Sequence, residues 1–332
     1  MHYWQNKFIL TLLLILSFSC ASKKGAEYHF DKNLSQYDYP FNVSYFKLNS
    51  QNQNLKMAYG DIGPKKSSKV AILLHGKNFS GFYWEKIAKE LVSKGYRVII
   101  PDQIGFGKSS KPNYYQYSFQ QMAANTFALL DKLKVQNFVL VGHSMGGMLA
   151  THMSSMSKRV SKLVLINPIG LEDYLEYVEY KDPEFFYKKE LKKTVKDFRK
   201  YQRKNYYDGK WNESYEKLLT PFKGWRNSED WKLIAWNNAL TYGPIFTNPI
   251  KNHLKNLDIK LYLILGTRDR TGPGRAWKKQ GVKRKLGQYQ NLGREVKALN
   301  SSHIKLIELQ ELGHMPQFED YSRFSKVFYP LF

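Results

Sequence analysis

The chain has 332 residues, 42% of them hydrophobic and 15% aromatic, which is enough to bury a substantial core and excludes a disordered chain. Its formal net charge is +24 at pH 7, but neither a zinc-finger spacing nor an aromatic RNP-type pattern accompanies that charge, so we expect no nucleic-acid partner. The single cysteine excludes an intramolecular disulfide, and the fold must therefore be stabilised by packing.

The first twenty residues have the pattern of an export signal. A short basic lead precedes the apolar run 8–18, which is too short for a membrane span of about 20 residues. The segment 16–20 resembles a relaxed bacterial lipobox, in which the cysteine thiol is acylated. We therefore predict lipid attachment at Cys20 and a place in the bacterial cell envelope, with the membrane as a partner. Ordinary cleavage, which would give a soluble periplasmic or secreted protein, and an uncleaved anchor are the alternatives.

Beyond residue 41, short apolar runs alternate with helix-compatible segments. The β-like runs are predicted at 43–48, 55–59, 70–74, 97–100, 138–141, 163–166, 260–265 and 304–309. From the third onward they are apolar throughout, as expected for parallel strands that helices cover on both faces. Helices are predicted at 84–94, 119–133, 145–156 and 316–328. This alternation indicates an α/β fold with a doubly wound, mostly parallel sheet of eight strands.

One stretch, 171–257, interrupts this alternation. It contains no convincing β run, is crowded with Tyr, Phe, Trp and Lys, and has helical patterning at 191–201 and 231–240. We interpret it as a helical cap inserted after the sixth strand. The predicted organisation is therefore a signal segment at 1–20, a tether or N-terminal arm at 21–40, a core in two parts at 41–170 and 258–332, and the cap between those parts.

Basic residues concentrate towards the C-terminal part of the chain. Between positions 270 and 300, nine Lys or Arg residues stand against the single Glu295. A basic surface of this kind is compatible with anionic lipid headgroups or envelope polysaccharide, and equally with a solubilising role. Its role stays open at this point.

The run Gly142-His143-Ser144-Met145-Gly146 lies between a predicted strand and a predicted helix. In a sharp strand-to-helix turn a serine hydroxyl is lifted clear of the sheet, and glycines two before and two after it relieve the crowding of the backbone. A helix that begins at Met145 directs its free amides and its positive dipole end to the same place. The GxSxG pattern is weak alone, so a nucleophilic Ser144 depends on partners elsewhere in the chain.

A serine hydroxyl needs a base within hydrogen-bond reach and a carboxylate that orients the base. Asp269 follows the predicted strand 260–265, and His314 follows the predicted strand 304–309. The carboxyl ends of parallel strands converge, so these side chains are expected to approach Ser144. The chain order Ser, Asp, His is that of the α/β-hydrolase triad.

Competing interpretations exist for each of these residues. Ser144 could be a small residue that only suits a tight turn, and Asp258 competes with Asp269, whereas the amide Asn167 cannot serve as the acid. Asp102 is expected to bind amides of its own loop. The remaining histidines are expected to be structural or exposed, with His143 pointing away from the base: His75, His143, His152, His253 and His303.

Five blocks together resemble the cap-bearing α/β-hydrolases of the epoxide-hydrolase, dehalogenase and haloperoxidase-like superfamily. The blocks are His75-Gly76, the loop 101–109, the elbow 142–146, the segment 266–269 and Gly313-His314, and the resemblance runs over about 41–332. It implies that Ser144 attacks an acyl carbon, that His314 moves the proton, and that Asp269 holds the imidazole. It also implies an oxyanion hole made of the backbone amides of Met145 and Lys77, with Asn78 the next candidate.

The serine at the elbow argues against epoxide hydrolases and haloalkane dehalogenases, since those relatives place Asp there. We therefore predict hydrolysis of a small-molecule carboxylic ester with an apolar acyl part that the aromatic cap binds. An amidase or aminopeptidase and a perhydrolase on the same triad are alternatives, and a non-catalytic envelope binding protein is a further one. No ligand cluster or phosphate-cradling loop is present in the sequence, so neither a metal nor an organic cofactor is predicted. The natural ester and the oligomeric state are left open.

Overall fold

A computed structural model of the chain describes residues 28–332. The predicted signal segment, Cys20 and the first part of the predicted tether lie outside the described residues. Between residues 28 and 332, none of the helices is long and apolar enough to cross a membrane.

The core of the molecule is a sheet of eight strands. In chain order the strands are β1 (Val43–Ser50), β2 (Gln53–Ile62), β3 (Val70–Leu74), β4 (Arg97–Pro101), β5 (Phe138–His143), β6 (Val160–Ile166), β7 (Leu261–Gly266) and β8 (Ile304–Leu309). Their order across the sheet is β1-β2-β4-β3-β5-β6-β7-β8. Strand β2 is antiparallel to both of its neighbours, and all other neighbours are parallel. The predicted mostly parallel, eight-stranded sheet is confirmed.

The burial of the central strands explains their continuous apolar sequences. Every residue of β3, β4 and β5 is buried, because helices cover both faces of the middle of the sheet. The register then brings strand ends together: Leu74 pairs with Gly142, His143 with Ile166, and Gly266 with Leu309. The loops that follow β3, β5, β6, β7 and β8 therefore leave the sheet along one edge.

Helices cover the sheet and build the region between β6 and β7. They are α1 (Glu85–Ser93), α2 (Phe119–Lys132), α3 (Met145–Met156), α4 (Tyr174–Tyr177), α5 (Pro183–Lys192), α6 (Val195–Asn205), α7 (Glu213–Lys217), α8 (Thr220–Arg226), α9 (Trp231–Leu240), α10 (Tyr242–Thr247), α11 (Lys251–Lys255), α12 (Tyr289–Leu299), α13 (Pro316–Glu319) and α14 (Tyr321–Phe328). Short 3-10 turns lie at Gly81–Trp84 and Tyr329–Leu331. The first three helices agree with the predicted segments to within a residue.

Two predicted helices are each divided in the structure. The segment predicted at 191–201 contains a break, because α5 ends at Lys192 and Thr194 begins α6 with a capping box that it forms with Asp197. The segment predicted at 316–328 breaks at Asp320, whose carboxylate accepts a hydrogen bond from the Arg323 amide and so starts α14.

The helices α4 to α10 lie within the predicted cap. Helix α5 packs against α9, and Phe186 and Phe246 belong to the same apolar cluster as the core beneath them. Trp231 and Ile234 form a second, smaller cluster inside the cap. The last helix of the predicted cap, α11, contacts α3 and α12 of the core. The boundaries at 171 and 257 remain a prediction.

Residues 28–40 lie against both the cap and the core. The Phe30 amide donates to the Gly224 carbonyl at 3.1 Å, and the Trp225 indole donates to the Asp31 carbonyl at 3.0 Å. On the core side, the Tyr39 hydroxyl donates to the Asp102 carboxylate at 2.7 Å. This segment therefore joins α8 of the cap to the loop that follows β4.

Candidate active site

Ser144 occupies the strained turn between β5 and α3. Its φ is 56° and its ψ is −120°, a conformation that residues other than glycine rarely adopt. The Ser144 amide donates to the Ile166 carbonyl at 3.1 Å and holds the turn against β6. A Cβ on Gly142 would lie 2.3 Å from the Gly146 carbonyl oxygen, and a Cβ on Gly146 would lie 2.3 Å from the Leu74 carbonyl oxygen. Both glycines are therefore required for the turn to pack.

The structure brings Ser144, Asp269 and His314 together. His314 Nε2 lies 3.0 Å from Ser144 Oγ, and His314 Nδ1 lies 2.6 Å from Asp269 Oδ2. Because an ionised carboxylate only accepts hydrogen bonds, Nδ1 carries the proton and Nε2 is left to accept from the serine hydroxyl. The three residues are 7%, 1% and 0% exposed in the order Ser144, His314, Asp269. A base in this position can take the hydroxyl proton.

The Asp269 carboxylate is held by three neighbours. The Thr271 amide donates to Oδ1 at 2.7 Å, and the Asn167 side-chain amide donates to Oδ2 at 2.8 Å. Burial by itself raises the pKa of Asp269, but the nearby His314, its hydrogen bond and that of the Thr271 amide outweigh it, so the pKa lies below its usual value. The carboxylate is therefore ionised and can orient the imidazole.

Asn167 has a structural role in the site that the sequence did not predict. It is fully buried at the end of β6, and its side-chain oxygen accepts a hydrogen bond from the Gly266 amide at 3.1 Å. Its amide nitrogen at the same time binds Asp269. The residue thus ties the end of β7 to the carboxylate. Its place just past a strand end was the available sequence signal.

The loop after β3 packs directly on the nucleophile. A Cβ on Gly76 would lie 3.1 Å from Ser144 Cβ. The Gly76 amide donates to the Tyr83 hydroxyl at 3.0 Å, whereas the amides of Lys77 and Asn78 donate to no protein acceptor within residues 28–332. Met145 is the first residue of α3, and first-turn amides have no acceptor inside their own helix. Gly76, which precedes Lys77, therefore lies against Ser144, and the oxyanion role of the Met145, Lys77 and Asn78 amides remains a prediction.

His143 does not point away from the base, and that expectation was wrong. Its ring centroid lies 5.0 Å from that of His314, and His143 Nε2 lies 2.9 Å from the His314 carbonyl oxygen. Since a carbonyl only accepts, Nε2 carries the proton and Nδ1 accepts from the Tyr83 hydroxyl, 3.1 Å away. Burial, reinforced by His314, lowers the pKa of His143 to about 3 and keeps the ring neutral.

A chain of hydrogen bonds thus connects the oxyanion loop with the backbone of the base. It runs from the Gly76 amide to the Tyr83 hydroxyl, then to His143, and ends at the His314 carbonyl. The Gly76 amide can only donate and the His314 carbonyl can only accept, so the two ends fix the direction of the chain. We infer that it sets the distance between the loop and His314.

Two other polar residues near the site are structural. The Asp102 carboxylate accepts from the Gly81 amide at 2.6 Å and from the Lys108 amide at 2.8 Å, which confirms the expected role in its own loop. His75 Nε2 accepts from the Gln103 amide at 3.1 Å, and the other ring nitrogen binds the Gly76 carbonyl at 3.0 Å. Both side chains are fully engaged away from Ser144.

The cap closes over the triad through Tyr206, at the end of α6. Its ring centroid lies 4.6 Å from that of His314, and its hydroxyl accepts a hydrogen bond from the Asn78 side-chain amide at 3.0 Å. Tyr206 is only 3% exposed. The sequence marked the cap as aromatic but did not single out this residue, because nothing in its local pattern reports a contact with His314.

A cavity of about 50 Å³ lies between the oxyanion loop and the cap. Lys77 and Asn78 line it on the side of the oxyanion loop, and most of the other lining residues are apolar, including Phe106, Phe198 and Trp231. It has room for a few heavy atoms. Among residues 28–332, no group of three or more His, Cys, Asp or Glu side chains is arranged to hold a metal ion.

Comparisons with known proteins agree with this architecture. The family described as alpha/beta hydrolase fold matches residues 70–276. A solved structure of a "probable hydrolytic enzyme" from Pseudomonas aeruginosa is 39% identical, covers 92% of this chain and 98% of its own, and superposes with a TM-score of 0.88.

Two curated relatives match shorter stretches. A "Putative non-heme chloroperoxidase" from Synechocystis is 37% identical over 130 residues, which is 38% of this chain and 46% of that protein. A haloalkane dehalogenase from Psychrobacter cryohalolentis is 33% identical over 114 residues, which is 34% of this chain and 37% of that protein. The chain thus spans less than half the length of these two curated relatives.

Proposed function

Since this chain belongs to the alpha/beta hydrolase fold family, we propose that it is a serine hydrolase that cleaves a carboxylic ester through an acyl-enzyme on Ser144. The observation that carries the proposal is the distance of 3.0 Å between Ser144 Oγ and His314 Nε2, with Asp269 2.6 Å from the other ring nitrogen. A nucleophile, a base and an orienting carboxylate in this arrangement perform acyl transfer.

The reaction has two halves. His314 takes the Ser144 proton as Oγ attacks the ester carbonyl, and the protonated imidazole then gives that proton to the leaving alcohol. In the second half, His314 deprotonates a water that attacks the acyl carbon, and Ser144 leaves with the proton returned. The negative oxygen of each tetrahedral intermediate is bound by the amides of Met145 and Lys77, and one such donor is worth about 3 kcal/mol.

Dehalogenation fits the site poorly, although one relative is a haloalkane dehalogenase. A carboxylate that displaces halide forms an ester, and water can cleave that ester. The hydroxyl of Ser144 would form an alkyl ether instead, which has no carbonyl for water to attack. The predicted oxyanion amides would bind a negative oxygen, and a haloalkane has no oxygen on which that charge could develop.

A fluorophosphonate probe tests the nucleophile directly. We expect labelling of the wild type and none of Ser144→Ala, whereas Ser157→Ala, at the far end of α3, should label like the wild type. Failure of folded wild type to label would exclude an activated serine and favour the non-catalytic binding protein. Thermal unfolding of each variant verifies that it is folded.

A substrate panel separates ester from amide hydrolysis. The cavity wall is mainly apolar, which suits an apolar acyl part. We expect p-nitrophenyl esters to be cleaved with much higher kcat/KM than aminoacyl anilides. A preference for the anilides would replace the esterase assignment by an amidase or aminopeptidase.

Perhydrolysis is the second candidate, and the similarity to a non-heme chloroperoxidase favours it. Hydrogen peroxide would then replace water in the second half, attack the acyl carbon and leave as a peracid, while Ser144 recovers its proton from His314. Peracid formation from a carboxylic ester and hydrogen peroxide, absent in Ser144→Ala, would support this activity. Ester hydrolysis without detectable peracid would exclude it.

We also propose that the protein is exported and lipid-anchored at Cys20, on the strength of the apolar run 8–18 and the lipobox-like residues that follow it. In a bacterial host, Cys20→Ala should move the protein from the membrane fraction to the soluble fraction. An unchanged distribution would contradict the lipid anchor.

A further inference from the structure

Three charged side chains meet in the wall between the oxyanion loop and the cap: Lys77, Glu190 and Lys193. The Glu190 carboxylate is 1% exposed and fully occupied. It accepts two hydrogen bonds from Lys193 Nζ, both at 2.6 Å, one from the Tyr242 hydroxyl at 3.0 Å, and one from the Asn238 side-chain amide at 2.9 Å. This carboxylate has no remaining capacity for a ligand.

Lys77 lies beside this carboxylate without bonding to it. Its Nζ donates to the Asn238 carbonyl at 2.7 Å and to the Asn238 side-chain oxygen, and it lies 4.0 Å from the centroid of the Tyr242 ring. An ammonium group has three donors. Lys77 uses two on Asn238 and Lys193 uses two on Glu190, so each retains one N–H.

The cluster carries an excess positive charge when Lys77 is protonated. Two ammonium groups face one carboxylate, and within residues 28–332 no other carboxylate forms an ion pair with Lys77 or Lys193. Both lysines line the cavity of about 50 Å³, whose remaining wall is mostly apolar. Burial lowers the pKa of Lys77 to about 7, although Glu190 acts in the opposite direction. A cation in apolar surroundings is costly until an anion joins it.

We propose that this cavity binds a carboxylate at the far end of the substrate's acyl chain, so that the enzyme hydrolyses monoesters of dicarboxylic acids. The inference rests on the proposed esterase function. The apolar wall contacts the methylene groups, and the free N–H groups of Lys77 and Lys193 receive the terminal carboxylate. Lys77 would then serve twice, with its backbone amide as the predicted oxyanion donor at the scissile carbonyl and its side chain at the other end of the same acyl group.

Matched ester pairs test the proposal. Mono-p-nitrophenyl esters of dicarboxylic acids from succinic to sebacic acid are compared with p-nitrophenyl esters of monocarboxylic acids of equal length. At the best length, we expect wild type to prefer the dicarboxylic monoester by about tenfold or more in kcat/KM. An equal or lower kcat/KM for every dicarboxylic monoester would overturn the proposal.

Three variants of the cluster give predictions of opposite sign. Lys77→Met and Lys193→Met should each lower the preference ratio about tenfold, because each removes a donor to the carboxylate. Glu190→Gln keeps the shape of the side chain and removes the opposing charge, so it should raise the ratio at pH values low enough to keep Lys77 protonated in the variant. Lys189→Met is the matched control. Lys189 lies on α5 next to Glu190, but its side chain lies over Trp277, outside the cavity, so the ratio of this variant should equal that of wild type. A ratio that Lys77→Met and Glu190→Gln leave unchanged would contradict the assignment.

Two further measurements separate this proposal from the esterase proposal. Titration of Ser144→Ala protein with adipate and with hexanoate measures binding without turnover, and adipate should bind more tightly by about tenfold. Hydrolysis of neutral esters without carboxylate preference would sink this inference alone, whereas failure to hydrolyse any ester would sink the proposed function. If the preference appears only when the carboxylate is on the alcohol part, the acyl-chain assignment is wrong.

Discussion

The edge of the sheet and the cap contribute to the site in different ways. At the sheet edge, the backbone register decides where Ser144, Asp269 and His314 lie, and the groups that bind them are themselves buried strand ends such as Asn167. In the cap, short helices present side chains whose positions depend on packing against one another. The regions meet at several places, among them where Tyr206 lies on His314 and where Lys77 binds Asn238. The triad is therefore positioned by the register of the sheet, and the cap side chains above it by packing between short helices.

The largest effect on kcat is expected at the nucleophile, which belongs to the sheet edge and not to the cap. Ser144→Ala should lower kcat by about 10⁶-fold, because the acyl-enzyme cannot form. Stability should change little, since the substitution removes only one hydroxyl. Initial rates with a p-nitrophenyl ester measure the loss, and Ser157→Ala is the control. A residual rate within about tenfold of wild type would mean that Ser144 is not the nucleophile.

Two substitutions at the sheet edge test the carboxylate of the triad, since one removes it and the other introduces a carboxylate beside its original position. Asp269→Asn should lower kcat by about 10⁴-fold, because the imidazole loses its tautomer and its orientation. Asn167 Nδ2 lies 2.8 Å from Asp269 Oδ2, so adding Asn167→Asp to Asp269→Asn places a carboxylate next to the lost one. The double variant should regain part of the rate. A double variant no faster than the single one would mean that the end of β6 cannot orient His314.

Much of the sheet edge was predictable from the sequence. Strand β3 was predicted with its observed bounds, because strands buried on both faces are continuous apolar runs. The triad followed from three residues at strand ends in the right order. By contrast, β2 extends through the polar residues Gln53 and Asn54, which pairing with β1 holds in the sheet although no alternation marks them.

The cap and the contacts across the site were less predictable. Helix α12 was not predicted. Its segment is rich in basic residues, and only a few apolar side chains, Tyr289, Leu292 and Val296 among them, mark the face that it buries. His143 and Tyr206 act through contacts with His314, a residue far away in the sequence. A pattern of neighbours along the chain does not report such contacts.

His143 makes the sheet edge sensitive to acid. Its pKa is about 3 in the folded protein, against an ordinary 6.5. Between those values the unfolded chain binds a proton that the folded protein does not, so stability falls as pH falls from about 6.5 towards 3, by up to about 1.4 kcal/mol per pH unit. His143→Gln removes this contribution. Urea unfolding at neutral pH and near pH 4.5 should show the variant gaining up to roughly 3 kcal/mol relative to wild type. Parallel losses in both proteins would contradict this account.

The smallest effect is expected where cap and core touch. Tyr206→Phe keeps the ring on His314 but removes the hydroxyl that accepts from Asn78. The loss of one hydrogen bond should raise KM about three- to tenfold and change kcat by less than about twofold. Steady-state kinetics with an ester series measure both, with the exposed Tyr180→Phe as control. A drop in kcat of the size expected for Asp269→Asn would mean that a cap residue contributes to catalysis as strongly as the sheet edge does.

The Tyr206 contact also bears on speed. Ser144 is 7% exposed and Tyr206 lies on His314, so we expect an acyl group to reach the serine only after Tyr206 has shifted aside. Such displacements take on the order of microseconds to milliseconds. For the most reactive esters, the time spent waiting for this passage to clear would set the ceiling on turnover. Glycerol or another viscogen would then lower kcat for the most reactive esters and leave kcat for slowly hydrolysed esters unchanged.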